Sequence, residues 1–253
     1  MDEPLLDVRD LSMSWPSAER PVLRNVSLRV RSGEFVAILG ANGSGKTTFL
    51  KCIVRLVTPE SGSILVAGQQ MAGLTGAGLQ RARRNVALIS QSANLVKRRS
   101  VVANVATGSL GRRPEWWTSA GALPQSELEL ASRYLQTVGL EHLGTQRAAT
   151  LSGGQAQRVA IARALAQQPQ VLLADEPVAN LDPEAADDLL RLLRRLARED
   201  GLAVCCVLHQ PDLAIAYADR VVGFSDGSVA FDAVSSAVSQ AMVDSLYRSE
   251  PAA

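Results

Sequence analysis

The sequence predicts an α/β fold with a mostly parallel sheet, an N-terminal antiparallel β-subdomain and an inserted helical lobe. Three observations predict it. The runs FVAIL, VLLAD and AVCCVL are continuously apolar, as strands covered on both faces must be. Helical patterns separate them, which is the alternation of a parallel sheet with crossover helices. From about Ser92 to Ala166 the chain carries no strand pattern and is rich in Ala, Leu, Arg and Gln.

Taken in order, Leu5–Val8 and Val22–Val30 alternate apolar and polar residues, the pattern of antiparallel strands with one solvated face. Phe35–Leu39 predicts a buried strand, then a glycine-rich loop and a helix. Ser63–Val66 and Val86–Ser90 predict two short strands. Within the helical stretch, GRRPEWWTSAGALP (Gly111–Pro124) reads as a long exposed loop. Val171–Asp175, Ala203–Leu208 and Val221–Phe224 return to the sheet, and the tail after Asp232 reads as a short helix ending in SLYRSE. One domain, 1–253, is expected: a core of 1–91 and 167–231, a helical subdomain 92–166 and a tail 232–253.

Composition narrows the function. At 253 residues, 47% of them apolar, the chain can bury a large core. A formal charge of +1 argues against a nucleic-acid binder. Cys52, Cys205 and Cys206 lack the spacing of a disulfide framework or a zinc site, so buried thiols are expected. The acidic start MDEPLLDVRD is no secretory signal, and no apolar run approaches the length of a membrane span. A soluble cytoplasmic protein is expected, with any membrane role supplied by a partner.

Gly40-Ala41-Asn42-Gly43-Ser44-Gly45-Lys46-Thr47 fits G-x-x-x-x-G-K-[ST] between a buried strand and a helix. Glycines let successive backbone N–H groups turn toward one anion, and the following helix adds its unpaired N–H groups and dipole. Lys46 then lies between β- and γ-phosphates and Thr47 offers its hydroxyl to Mg²⁺. VLLADEP ends a strand at Asp175 and Glu176, at the sheet edge where ligands bind in open α/β folds. Asp175 suits Mg²⁺, and Glu176 can polarise an attacking water. Leu151-Ser152-Gly153-Gly154-Gln155 opens a second helix, with Ser152 and Gln155 at capping-box spacing. A second anion-binding helix end without a second phosphate loop suggests that it completes a site on another subunit, two copies burying two nucleotides head to tail.

These residues resemble those of the ATP-binding subunit of an ABC transporter. GANGSGKTT, LSGGQ, LLADEP and a histidine after a late strand carry the resemblance, which spans about Leu5 to Gly227. It implies a P-loop NTPase core of the ABC type, with MgATP as ligand and Thr48 in the phosphate-binding set. It also implies that Trp15 stacks on adenine, and that Gln91 joins the core to the lobe and senses metal and the γ-phosphate. By the same resemblance His209 is expected to contact the γ-phosphate and Asp182 to lie where two subunits touch; Asp182-Pro183 is equally an N-cap with proline in the first turn. The stretch SQSANLVKRRSVVANVATGSLGRRPEWW and the ending DSLYRS resemble importers of phosphonates, phosphite and related phosphorus oxyanions. Ser90 departs from that pattern where an aromatic is usual, and Val178 where Thr or Ser is. Implied partners are a second copy, an integral membrane permease and, indirectly, an external solute-binding protein. The implied place is the cytoplasmic face of the inner membrane. Export, another cargo, a soluble ABC protein of translation or DNA repair, and a small-molecule kinase are the rival readings. Arg81–Arg84 and Lys97–Arg99 read as solvated faces or headgroup contacts, and Trp116-Trp117 as a partner contact or a satellite core.

Overall fold

A strand apolar at every position needs cover on both sides, and the computed structural model, which describes residues 3–16, 20–112 and 123–247, supplies it. Six strands form the main sheet: β3 (Phe35–Gly40), β6 (Val86–Ile89), β7 (Val171–Asp175), β8 (Ala203–Val207), β9 (Arg220–Ser225) and β10 (Ser228–Val234). Their spatial order is β10-β9-β3-β8-β7-β6. All neighbours are parallel except β9 and β10. Alternation divides each central strand between two cores: Phe35, Ala37 and Leu39 face one, Val36 and Ile38 the other.

The second core is closed by an antiparallel sheet of β1 (Leu6–Met13), β2 (Leu23–Val30), β4 (Ser61–Val66) and β5 (Gln69–Gln70), in the order β2-β1-β4-β5. Its inner residues Leu23, Val26, Leu28 and Val30 join Phe49, Leu50 and Ile53 of helix α1 (Lys46–Ile53). Helix α2 (Gly76–Arg83) precedes β6. The first core is covered by a lobe of α3 (Val101–Ala106), α4 (Gln125–Thr137) and α5 (Gly153–Ala166), with α6 (Pro183–Asp200) and α7 (Pro211–Tyr217) beside it.

Two strands escape the sequence pattern. β10 is half-exposed along its length, so apolar runs do not mark it. The signal that could have found it is Asp226-Gly227, whose φ values of 46° and 74° make the two-residue turn favoured in hairpins. Ala67-Gly68, φ 50° and 73°, joins β4 to β5 likewise. The tail is therefore strand through Val234 before α8 (Gln240–Tyr247) packs Leu246 into the first core. Trp116 and Trp117 lie outside the described residues. The three cysteines are free and buried.

Candidate active site

The glycine-rich loop joins β3 to α1 at the carboxyl edge of the main sheet. Gly40 has φ 151°, and a Cβ there would stand 2.3 Å from the Phe224 carbonyl oxygen; only glycine fits. Gly45 caps α1 at φ 100° without a side-chain acceptor, leaving the first N–H groups of the helix to the loop's interior. Lys46 is buried, and its ammonium donates to the carbonyls of Gly40 and Ala41, both at 2.8 Å, and to Ser44 Oγ at 3.4 Å. Burial pulls its pKa down, while Glu176 and Asp175 oppose that shift.

Thr47 Oγ1 donates to Asp175 Oδ1 at 3.0 Å, so two of the three expected metal ligands already face each other. Burial pushes the Asp175 carboxyl above its ordinary value, with the Thr47 hydrogen bond opposing and the Glu176 charge adding. A hydroxyl and a carboxylate side by side are the hard oxygen donors that Mg²⁺ selects. A cleft of about 330 Å³ opens at Thr47, lined by Trp15, Asn42, Lys46, Thr47, Thr48 and Glu176 among others. Trp15, 42% exposed, forms its outer wall.

Glu176 follows β7 with φ 52°, a conformation unfavourable for a residue with a side chain. Its amide donates to the Val207 carbonyl at 3.2 Å, and its Oε1 lies 2.5 Å from His209 Nε2. That contact exists because β8 lies beside β7, pairing Asp175 with Val207. Gln91 is exposed two residues beyond β6, whose Ile89 pairs with Ala174 of β7. The ends of four successive strands thus bring Lys46, His209, Asp175, Glu176 and Gln91 to one edge.

Ser152-Gly153-Gly154-Gln155 is elsewhere and does not line that cleft. Both halves of the capping box are formed: Ser152 Oγ accepts from Gln155 N at 3.3 Å, and Gln155 Oε1 accepts from Ser152 N at 2.9 Å. Gly154 has a packing role, since a Cβ there would stand 3.2 Å from that of Ala185 on α6. Ser152 and Gly153 remain exposed. Asp182 is an N-cap, accepting from Ala185 N at 2.9 Å, with Pro183 opening α6.

Of the arginine clusters, Lys97–Arg99 is exposed, but Arg83 turns inward and donates to the carbonyls of Val54 at 2.9 Å and Arg55 at 2.8 Å. Two polar residues outside the motifs also bear on the site. Gln157 and Arg163 on α5 bond the backbone near Gln91. A glutamine on the buried face of an amphipathic helix was the available signal for the first.

Residues 23–179 match the family described as ABC transporter. The phosphonates import ATP-binding protein PhnC of Treponema denticola is 40% identical over 230 residues, 91% of this chain and 90% of that protein. The PhnC 1 protein of Cupriavidus metallidurans is 43% identical over 249 residues, 97% of this chain and 87% of that protein. Among solved structures, the dimeric bacterial ABC transporter cassette MJ0796 superposes with a TM-score of 0.79 at 31% identity, covering 90% of this chain and 98% of that one. The cbiO1 protein of Clostridium perfringens, part of the ABC transporter complex cbiONQ, gives 0.81 at 28% identity, covering 92% and 90%.

Proposed function

The chain belongs to the ABC transporter family as an ATP-hydrolysing subunit, and from that premise we propose that two copies close around two MgATP to drive import of a phosphonate or related phosphorus oxyanion. The observation that carries the reading is the division of the site. Lys46, Thr47 and Glu176 line one cleft, with Asp175 bonded to Thr47 beside it, while the capped helix end at Ser152 lies outside it with its serine and first glycine exposed. A second copy related by a two-fold axis brings the missing anion-binding end to each cleft.

In this reading the loop N–H groups and Lys46 hold the phosphates, and Trp15 stacks on the base. Thr47, Asp175 and Gln91 supply oxygen donors to Mg²⁺, which neutralises phosphate charge. Glu176, held by His209, orients the attacking water and polarises its O–H bond. His209 reaches the γ-phosphate from the neighbouring strand, and Asp182 meets the partner subunit.

The partners follow from the same reading. Among the described residues no helix is long and apolar enough to cross a membrane, so the force goes to separate permease subunits. The grip is assigned to Gln91–Lys97, where Val96 is 51% exposed on the lobe. The protein would work at the cytoplasmic face of the inner membrane, with an external binding protein selecting the solute. The phosphorus-oxyanion cargo is supported by the PhnC relatives.

The test is growth of a strain lacking the gene, restored with wild type or Glu176→Gln, on orthophosphate, a phosphonate or phosphite as sole phosphorus source. Failure on phosphonate or phosphite alone, restored by wild type and not by Glu176→Gln, is expected. Normal growth of the deletion strain on every source would remove this cargo and leave another solute or export.

A further inference from the structure

We propose that Gln157 is a positioning residue whose side-chain amide links the helix beginning at Ser152 to both the Gln91 and the Glu176 segments. The proposal rests on the roles given above to Gln91 and Glu176. Gln157 is 5% exposed on α5, just beyond the capping box. Its Nε2 lies 2.9 Å from the Gln91 carbonyl oxygen, 3.3 Å from that of Ser90 and 3.1 Å from that of Pro177.

Three carbonyls converging on one nitrogen fix the amide, because only its NH₂ end can face them. The other end is left over: Gln157 Oε1 is buried and has no hydrogen-bond partner. An orphaned buried acceptor is costly, so packing alone would favour an apolar side chain here. The residue is explained by its donors.

What those donors join is specific. The Gln91 segment is fastened to the lobe by other side chains as well. Arg163 on α5 donates to Ala93 O at 2.8 Å and Asn94 O at 2.9 Å, and Asn104 on α3 bridges Val96 N at 2.7 Å and Val96 O at 3.1 Å. Residues 90–96 therefore travel with the lobe. Gln157 alone among these three side chains also reaches across to Pro177, whose neighbour is Glu176. When α5 shifts against β7, this amide must either carry Pro177 along or release it. The position of Glu176 thereby depends on where the Ser152 helix end sits.

The test uses the full chain and steady-state MgATP hydrolysis. Gln157→Met keeps length and stem but has no donor; Gln157→Lys offers three donors and no acceptor. Loss of positioning alone predicts that Gln157→Met lowers kcat about ten- to hundredfold, with KM held within about twofold. Gln157→Lys is expected to recover kcat to within about threefold of wild type, since the orphaned oxygen does nothing. A wild-type kcat in Gln157→Met, a loss carried by KM, or a lysine variant no better than methionine would overturn the proposal. Should Gln157→Met fail to fold, Gln157→Glu replaces it as the donor-free variant, and equal rates for Glu and Lys overturn the proposal. Glu176→Gln runs alongside. If that variant keeps full turnover, the role of Glu176 fails; if it is inactive while Gln157→Met is unimpaired, only the present proposal fails.

Discussion

Glu176 combines a proposed role in the chemistry with an unfavourable backbone conformation, φ 52°, held by the hydrogen bond that its N–H donates to Val207 O. Left-handed backbone costs a residue with a Cβ about 1–2 kcal/mol. Glu176→Ala and Glu176→Gly both lose the His209 contact, yet only glycine loses the strain. The glycine variant should therefore be about 1 kcal/mol more stable than the alanine variant, or about 2–4 °C in melting temperature. Calorimetry decides it, and an alanine variant of equal or higher stability would mean that the conformation carries no strain. The placing of Lys46, Thr47, Asp175 and Glu176 at the sheet edge could be read from the sequence because each belongs to a contiguous motif whose order implies strand, loop and helix. The Glu176–His209 contact could not, because it depends on β8 lying beside β7, an adjacency local patterning does not contain.

Elements show where local pattern succeeds and where tertiary context takes over. The half-exposed alternation of β2 was readable, and its register with β1 places Arg29 opposite Asp7. Asp7 lies between Arg9 Nη2 at 2.5 Å and Arg29 Nε at 3.2 Å. The Arg9 hydrogen bond holds its carboxyl below the ordinary range; burial opposes this and Arg29 assists. A depressed folded-state pKa stabilises above the unfolded value, near 3.9, and that stabilisation is lost as pH falls through the folded value. Asp7→Asn should thus cost about 1 kcal/mol at pH 7, unchanged to pH 5 and shrinking below about pH 4. Denaturant melts stepped down in pH check this; no gap at pH 7, or one that widens on acidification, contradicts it. The hairpin strand β10 went unread for the opposite reason. Its burial is set by the neighbour it lies on, so its own residues alternate weakly.

At the scale of the whole molecule, the proposed closure makes the oligomeric state depend on nucleotide. Glu176→Gln retains the phosphate loop and removes the carboxylate, so MgATP should convert it to a stable dimer with twice the mass by light scattering. A variant that stays monomeric with saturating MgATP would count against a site shared between copies. The two helix ends, at Lys46 and Ser152, were both visible in sequence. Their assignment to different sites was also readable, from a second anion-binding helix end without a second phosphate loop; the contacts that set the lobe on the sheet were not, because they join residues distant in the chain.

Strand order has a consequence for how such a chain comes into being. β3 and β7 are never neighbours: β8, made after both, lies between them, with Phe35 against Val204 and Val171 against Ala203. A nascent chain that has emerged only through β7 holds the phosphate loop and both carboxylates without the strand that brings them together. Such pairing between distant parts of the chain is slow to form. The site is therefore completed late in synthesis, and a ribosome-bound fragment ending before Ala203 would hold every motif but the histidine without the strand that sets the phosphate loop beside the two carboxylates.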